Sequence, residues 1–281
     1  MDNRLTLEKR IEAELKSYDG RMGIYINDFC GNLITAHADE EFEAASTIKI
    51  FILAALFEEI EQGRKSLKDV LEYKPCHAVD GSGILEVLEL GTTLSVMNLA
   101  TLMIIVSDNI ATNILIDYLG LDTINSCMEK LGCHNTRLHN PLHFERYRTL
   151  GTTTPRDYAH IFEELAQGTL ISKDASEKML NICKEQHYNS MLTKFIPPYF
   201  MDPDNYTEEV ISFASKSGSM NACRNDGGLV STPYGSYVII LFNKNFSDAM
   251  YYHEHPAIVF SARISRLVLD QYLALEGRLK M

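Results

Sequence analysis

Residues 46–57 read Ser-Thr-Ile-Lys-Ile-Phe-Ile-Leu-Ala-Ala-Leu-Phe, and this stretch limits what the chain can fold into. It is apolar on nearly every face, so a helix here must be buried on all sides and the rest of the molecule must wrap it. One lysine, Lys49, lies inside the run. Burial disfavours a charged ammonium, which lowers its pKa and lets the amine act as a base. Ser46 precedes Lys49 by three residues and so lies on the same helix face. A first helical turn also has free backbone N–H groups able to hold an oxyanion. Two readings stand at this point. One is a hydroxyl activated by a buried amine; the other is a serine N-cap before a helix with a snorkelling lysine.

Charge and composition narrow the partners. The 281 residues carry a net charge of −12, with 46% hydrophobic and 23% charged residues. Such an acidic chain is a poor match for nucleic acid or an anionic membrane. No run of about 18 apolar residues occurs, so no membrane span is expected. Residues Met1 to Arg10 have no apolar h-region, so the expected compartment is the cytoplasm; a trimmed exported domain would read the same. Six cysteines (Cys30, Cys76, Cys127, Cys133, Cys183, Cys223) show no metal-type spacing and are expected to be free thiols. No metal or cofactor is expected. His139 and His143 are four apart and His253 and His255 two apart, each without a third ligand.

Along the chain, Leu7, Ile11 and Leu15 give a helical period over 5–17, followed by strand-like runs over 22–27 and 33–37. The Ser46 helix is expected to stop at Gly63. Helical patterns cover 95–106, 110–119, 122–131, 156–166 and 173–185. Thr154 and Pro155 mark the cap and first position of the fourth. Residues 133–151 read as a long loop and 195–209 as a crossover. Strands are expected over 210–215, 227–231 and 236–243, and a terminal helix over 257–277. The order implies one α/β (α+β) domain. Its antiparallel sheet is flanked by the N- and C-terminal helices (1–45 and 205–281), and an all-helical lobe covers 46–204.

Three polar clusters recur in order: Ser46-x-x-Lys49, then Ser107-Asp108-Asn109 between two apolar helices, then Lys216-Ser217-Gly218 at a strand end. Each has a plain structural reading as a cap or a turn. Together they resemble the class A serine β-lactamases and the related penicillin-binding proteins. The resemblance covers nearly the whole chain. It extends to Val79-Asp80-Gly81-Ser82-Gly83-Ile84-Leu85, the run from Leu99 into Ser107, Ala111-Thr112-Asn113, Thr152-Thr153-Thr154-Pro155 and Arg224-Asn225-Asp226.

The resemblance implies a β-lactamase/transpeptidase-like fold and a small β-lactam or peptide-like substrate. It implies that Ser46 is the acyl acceptor, Lys49 its proton acceptor, and Ser107 a relay to the leaving nitrogen. Asn109 would bind a substrate side-chain amide. Lys216 and Ser217, which stands where the family often has threonine, would receive a carboxylate. The backbone N–H groups of Ser46 and Ser219 would form the oxyanion hole. Arg224 would help hold the carboxylate, or else is a solvated surface arginine. One departure is plain. The family's Glu-x-x-Leu-Asn segment, whose glutamate activates the deacylating water, is missing from 136–148, where Glu145 is the only carboxylate. Glu145 would then be either the base in a rearranged loop or a partner of Arg146 or Arg148. Slow deacylation is the expectation. A peptidase acting on D-alanyl peptides and a covalent binder or sensor are the alternatives to a hydrolytic β-lactamase.

Overall fold

A computed structural model describes residues 6–147, 149–188, 190–201 and 211–274. The elements in chain order begin with α1 (Leu7–Leu15), β1 (Arg21–Asn27), β2 (Leu33–Ala36), β3 (Phe42–Glu43) and α2 (Lys49–Glu61). Next come β4 (Val70–Glu72), β5 (Thr93–Ser95), α3 (Val96–Ile105), α4 (Asn109–Leu119), α5 (Leu121–Lys130), β6 (Arg137–Leu138) and β7 (Gly151–Thr153). The chain continues through α6 (Pro155–Gln167), α7 (Lys173–Lys184), β8 (Ser212–Ser215), β9 (Gly218–Met220), β10 (Cys223–Thr232), β11 (Gly235–Lys244) and α8 (Pro256–Ala274).

The main sheet is antiparallel in the order β2-β1-β11-β10-β8, with β9 also paired to β10. Successive residues of β11 face opposite sides. Val238, Ile240 and Phe242 enter one core, with α2 and α6, while Tyr237, Ile239 and Leu241 enter the other, with α1 and α8. That double coverage explains why β11 is apolar without alternation. The terminal helices flank one face of the sheet, as the sequence implies. Helix α6, which falls within the helical stretch 46–204, packs directly on the opposite face. There Tyr158 lies 5.1 Å from Phe242, ring centre to ring centre.

Helix α2 is the centre of the larger core: every residue from Lys49 to Phe57 is buried. Thr154 caps α6 by accepting from Asp157 N, with Pro155 in the first turn, as the sequence predicts. Two differences from the sequence reading matter for the site. Ser46 lies in a 3₁₀ turn over Ala45–Ile48 that feeds α2, rather than in the helix proper. Strand β10 begins at Cys223, and β9, which the apolar pattern does not mark, pairs with it through Ser219 opposite Arg224. The crossover expected over 195–209 lies outside the described residues from 202 on, as do Val210 and the end of the terminal helix beyond 274.

Candidate active site

The three sequence clusters converge on one cleft of about 300 Å³. Its lining includes Ser46, Ser82, Ser107, Ser217, Ser219 and Tyr251. Ser46 is held by close backbone packing. A side chain on Gly218 would bring its Cβ to 2.7 Å from the N atoms of Ser46 and Thr47, so only glycine lets strand β9 approach this turn. Ala45, just before Ser46, has a φ of 46°, and Ser107 a φ of 52°. Both are non-glycine residues in the left-handed region, and such strain gathers at functional sites. Ser46 itself is part of the cleft wall.

Lys49 is fully buried. Its Nζ donates to Ser107 O at 2.7 Å, Ser107 Oγ at 2.9 Å and Asn109 Oδ1 at 2.8 Å. The hydrogen bonds of Lys49 therefore run to the Ser107 cluster and not to Ser46. Burial pushes its amine well below the usual lysine range; the charge of Lys216 acts the same way and Asp108 opposes. Asp108 builds the break that presents Ser107. Its Oδ1 accepts from Ala111 N, capping α4, and its Oδ2 accepts from Ile84 N and Leu85 N. Asn109 is enclosed as well, with its N donating to Ser82 O and its Nδ2 to Asp80 O. The structure thus uses Asn109 to orient Lys49 and the 80–83 loop.

Lys216 is buried beside Ser217. Burial lowers its ammonium to about 8, against the pull of Asp226 and Cys183. Its Nζ donates to Ser217 O at 2.7 Å and reaches Gln186 Oε1 at 3.5 Å. The edge strand is interrupted between β8 and β9 at this Lys-Ser pair, so Ser217 and Ser219 line the cleft.

Comparison with known proteins identifies the family. The model of the beta-lactamase enzyme family matches residues 6–272. The chain belongs to the beta-lactamase enzyme family. It is 28% identical over 177 residues to beta-lactamase CARB-4 of Pseudomonas aeruginosa, covering 61% of this chain and 60% of that one. With beta-lactamase CTX-M-8 of Citrobacter amalonaticus it shares 29% over 185 residues, 63% of each. The matched stretch thus spans about three-fifths of the length of these curated relatives. A crystal structure of a beta-lactamase from Sphaerobacter thermophilus superposes with a TM-score of 0.82 at 28% identity, covering 96% of this chain and 97% of that one. PBP-A superposes at 0.81 with 28% identity over 96% of both chains. A mutant of PBP-A, described as an acyl-enzyme complex with penicillin G, does the same.

One alternative is excluded for this beta-lactamase family member: Arg224 is not a solvated surface arginine, although it is among the residues that line the cleft. It is 1% exposed, and its NH1 donates to Met220 O and Cys223 O while its NH2 donates to Ala249 O and Met250 O. Its guanidinium lies 5.3 Å from the ring centre of Tyr251. It fastens the 249–251 segment that carries Tyr251 to the cleft wall; only its buried Nε has no partner. Glu145 sits in an exposed turn, outside the residues that line the cleft, and among the described residues it has no ion pair or hydrogen bond. Arg146 instead lies over the Tyr147 ring; Arg148 falls outside the described residues.

Two contributors, Gln186 and Glu43, leave no signal in the sequence, and a third, Asp226, is marked there only by the Arg224-Asn225-Asp226 motif. Gln186 receives Ser217 N at 2.7 Å and Ser217 Oγ at 3.1 Å. Asp226 is buried near Lys216 and accepts from Leu192 N and Gly227 N, and burial raises its pKa. Glu43 Oε1 accepts from Ala45, Leu150 and Gly151 N, so it ties the turn before Ser46 to the end of the 139–150 loop. Asp226 stands beside the Arg-Asn motif and was legible there. Gln186 and Glu43 follow no pattern that spacing could pick out.

Proposed function

We propose that this protein is a serine hydrolase that is acylated at Ser46 by a β-lactam or a related amide and releases the acyl group slowly. The observation that carries the reading is the buried Lys49 amine in contact with Ser107, on the helix that begins beside Ser46. Burial lowers the pKa of Lys49 and so favours the neutral amine that can take up a proton, and a hydroxyl activated in this way attacks the strained carbonyl. Ser46 Oγ bonds to the carbonyl carbon and its proton passes to Lys49. The tetrahedral oxyanion is received by the N–H groups of Ser46 and Ser219. As the amide C–N bond breaks, Ser107 delivers a proton to the leaving nitrogen and is resupplied by Lys49 through their 2.9 Å contact. Lys216 and Ser217 receive an anionic substituent, since charge-assisted hydrogen bonds are the strong ones.

Hydrolysis of the ester then needs a water and a base within hydrogen-bond reach. Glu145 lies outside the cleft lining, which favours a persistent acyl-enzyme. The acyl-enzyme with penicillin G described for a PBP-A mutant supports the same covalent step. A D-alanyl peptidase or a covalent β-lactam sensor shares that step and differs in the fate of the acyl group. Mixing the protein with a penicillin and following its intact mass separates the three. A stable single adduct that vanishes in Ser46→Ala supports slow release. Absence of any adduct, with the β-lactam also left intact, would refute acylation.

A further inference from the structure

The anion-binding end of the cleft is already in contact with an amide oxygen of the protein itself. Gln186 follows α7 and is 5% exposed. Its Oε1 lies 2.7 Å from Ser217 N, 3.1 Å from Ser217 Oγ and 3.5 Å from Lys216 Nζ. Its Nε2 donates to Ser215 Oγ at 2.7 Å. The next residue ties the same segment to the helical lobe, through His187 N donating to Ile105 O at 2.9 Å, two residues before Ser107.

A serine hydroxyl has one proton to donate. In this structure the proton of Ser217 is directed at Gln186, and Lys216 shares the same acceptor. A substrate carboxylate arriving from the cleft must draw both away. We infer that Gln186 is a specificity-determining residue, an internal neutral acceptor that competes with the substrate's anionic group for Ser217 and Lys216. The inference rests on the acylation reading above for its enzymatic readout. Competition by an amide oxygen weakens preference for an anion without abolishing it, because the charged acceptor makes the stronger bond. Gln186 acts through Ser217 and Lys216, so its effect belongs to the ratio between two substrates and not to the chemistry at Ser46.

The test compares a penicillin with its methyl ester. In the parent, Gln186→Leu and Gln186→Glu, acylation rates are read by intact mass. Gln186→Leu frees the hydroxyl and should raise the carboxylate-over-ester ratio about two- to tenfold, the range of one net hydrogen bond. Gln186→Glu places a carboxylate against Lys216 and should lower that ratio, with ester acylation much less changed. A purely structural clip would change both substrates by one factor, and that result in both variants would overturn the inference. Gln186→Glu is nearly isosteric and keeps the test decisive if the leucine variant does not fold. The same ratio, measured as Kd in a Ser46→Ala background by calorimetry, probes Gln186 without any acylation. A parent that forms no adduct would overturn the acylation reading alone, while equal Kd ratios with and without Gln186 would overturn this one.

Discussion

Lys49 and Lys216 are both lysines and both buried, yet their surroundings give them different work. Lys49 is held by three neutral acceptors, with no carboxylate among them. Its charge is therefore poorly compensated, and the proposed mechanism gives its amine the part of a base. Removing it in Lys49→Met should slow acylation by about 10²–10⁴-fold, the usual worth of general-base help. Acylation at the parent rate in that variant would exclude the role. Lys216 keeps its charge longer because Asp226 lies nearby. Its proton leaves as pH rises through about 8, so the preference for a carboxylate over its ester should fall above that pH while ester acylation holds. A flat ratio between about pH 6 and 10, a span that brackets this titration, would contradict the assignment. The stability sign is separate. The folded pKa lies below the usual 10.5, so the buried ammonium weighs against folding below about pH 8. That penalty lifts as pH rises toward the unfolded value.

At the level of elements, the site depends on backbones that approach closely. Strand β9 can touch the Ser46 turn only because residue 218 has no side chain. Gly218→Ala should push the turn away from β9 and misplace the Ser46 and Ser219 N–H groups, with acylation falling at least tenfold, since losing one oxyanion donor costs about 10²–10³. Parent-level acylation by that variant would show that the contact is not needed. These local arrangements divide what the sequence could tell. The buried helix, the Ser107 break, the Thr154 cap and the strand that becomes β11 are written in local pattern and capping chemistry. Strand β9 was not, because Gly218-Ser219-Met220 has neither alternation nor branching, and its partner β10 holds it in the sheet. The 3₁₀ turn at Ser46 and the left-handed Ala45 were invisible for a like reason: tertiary packing imposes them on residues with no preference for them.

Across the whole molecule the cleft is walled by residues far apart in sequence, from Ser46 to Tyr251, and long-range contacts set its geometry. Gln186 meets Ser217 across 31 positions, and Glu43 meets Gly151 across 108. No motif could have named either. Conversely, Arg224 was named by motif and is occupied in the fold by four backbone carbonyls. Motif and geometry agree in bringing Ser46, Ser107 and Ser217 to one cleft with Lys49 buried against Ser107, and the proposed acylation rests on that agreement. Where the family pattern and this chain part, over 136–148, they bear on release. Glu145 lies outside the cleft lining, so Glu145→Gln should leave deacylation unchanged; a trapped adduct in that variant would make Glu145 the base after all. An acyl-enzyme at Ser46 that outlasts ordinary turnover leaves its mark in stopped-flow absorbance with a chromogenic β-lactam: a burst stoichiometric with protein and then a slow tail is expected, and rapid steady turnover without a burst would rule it out.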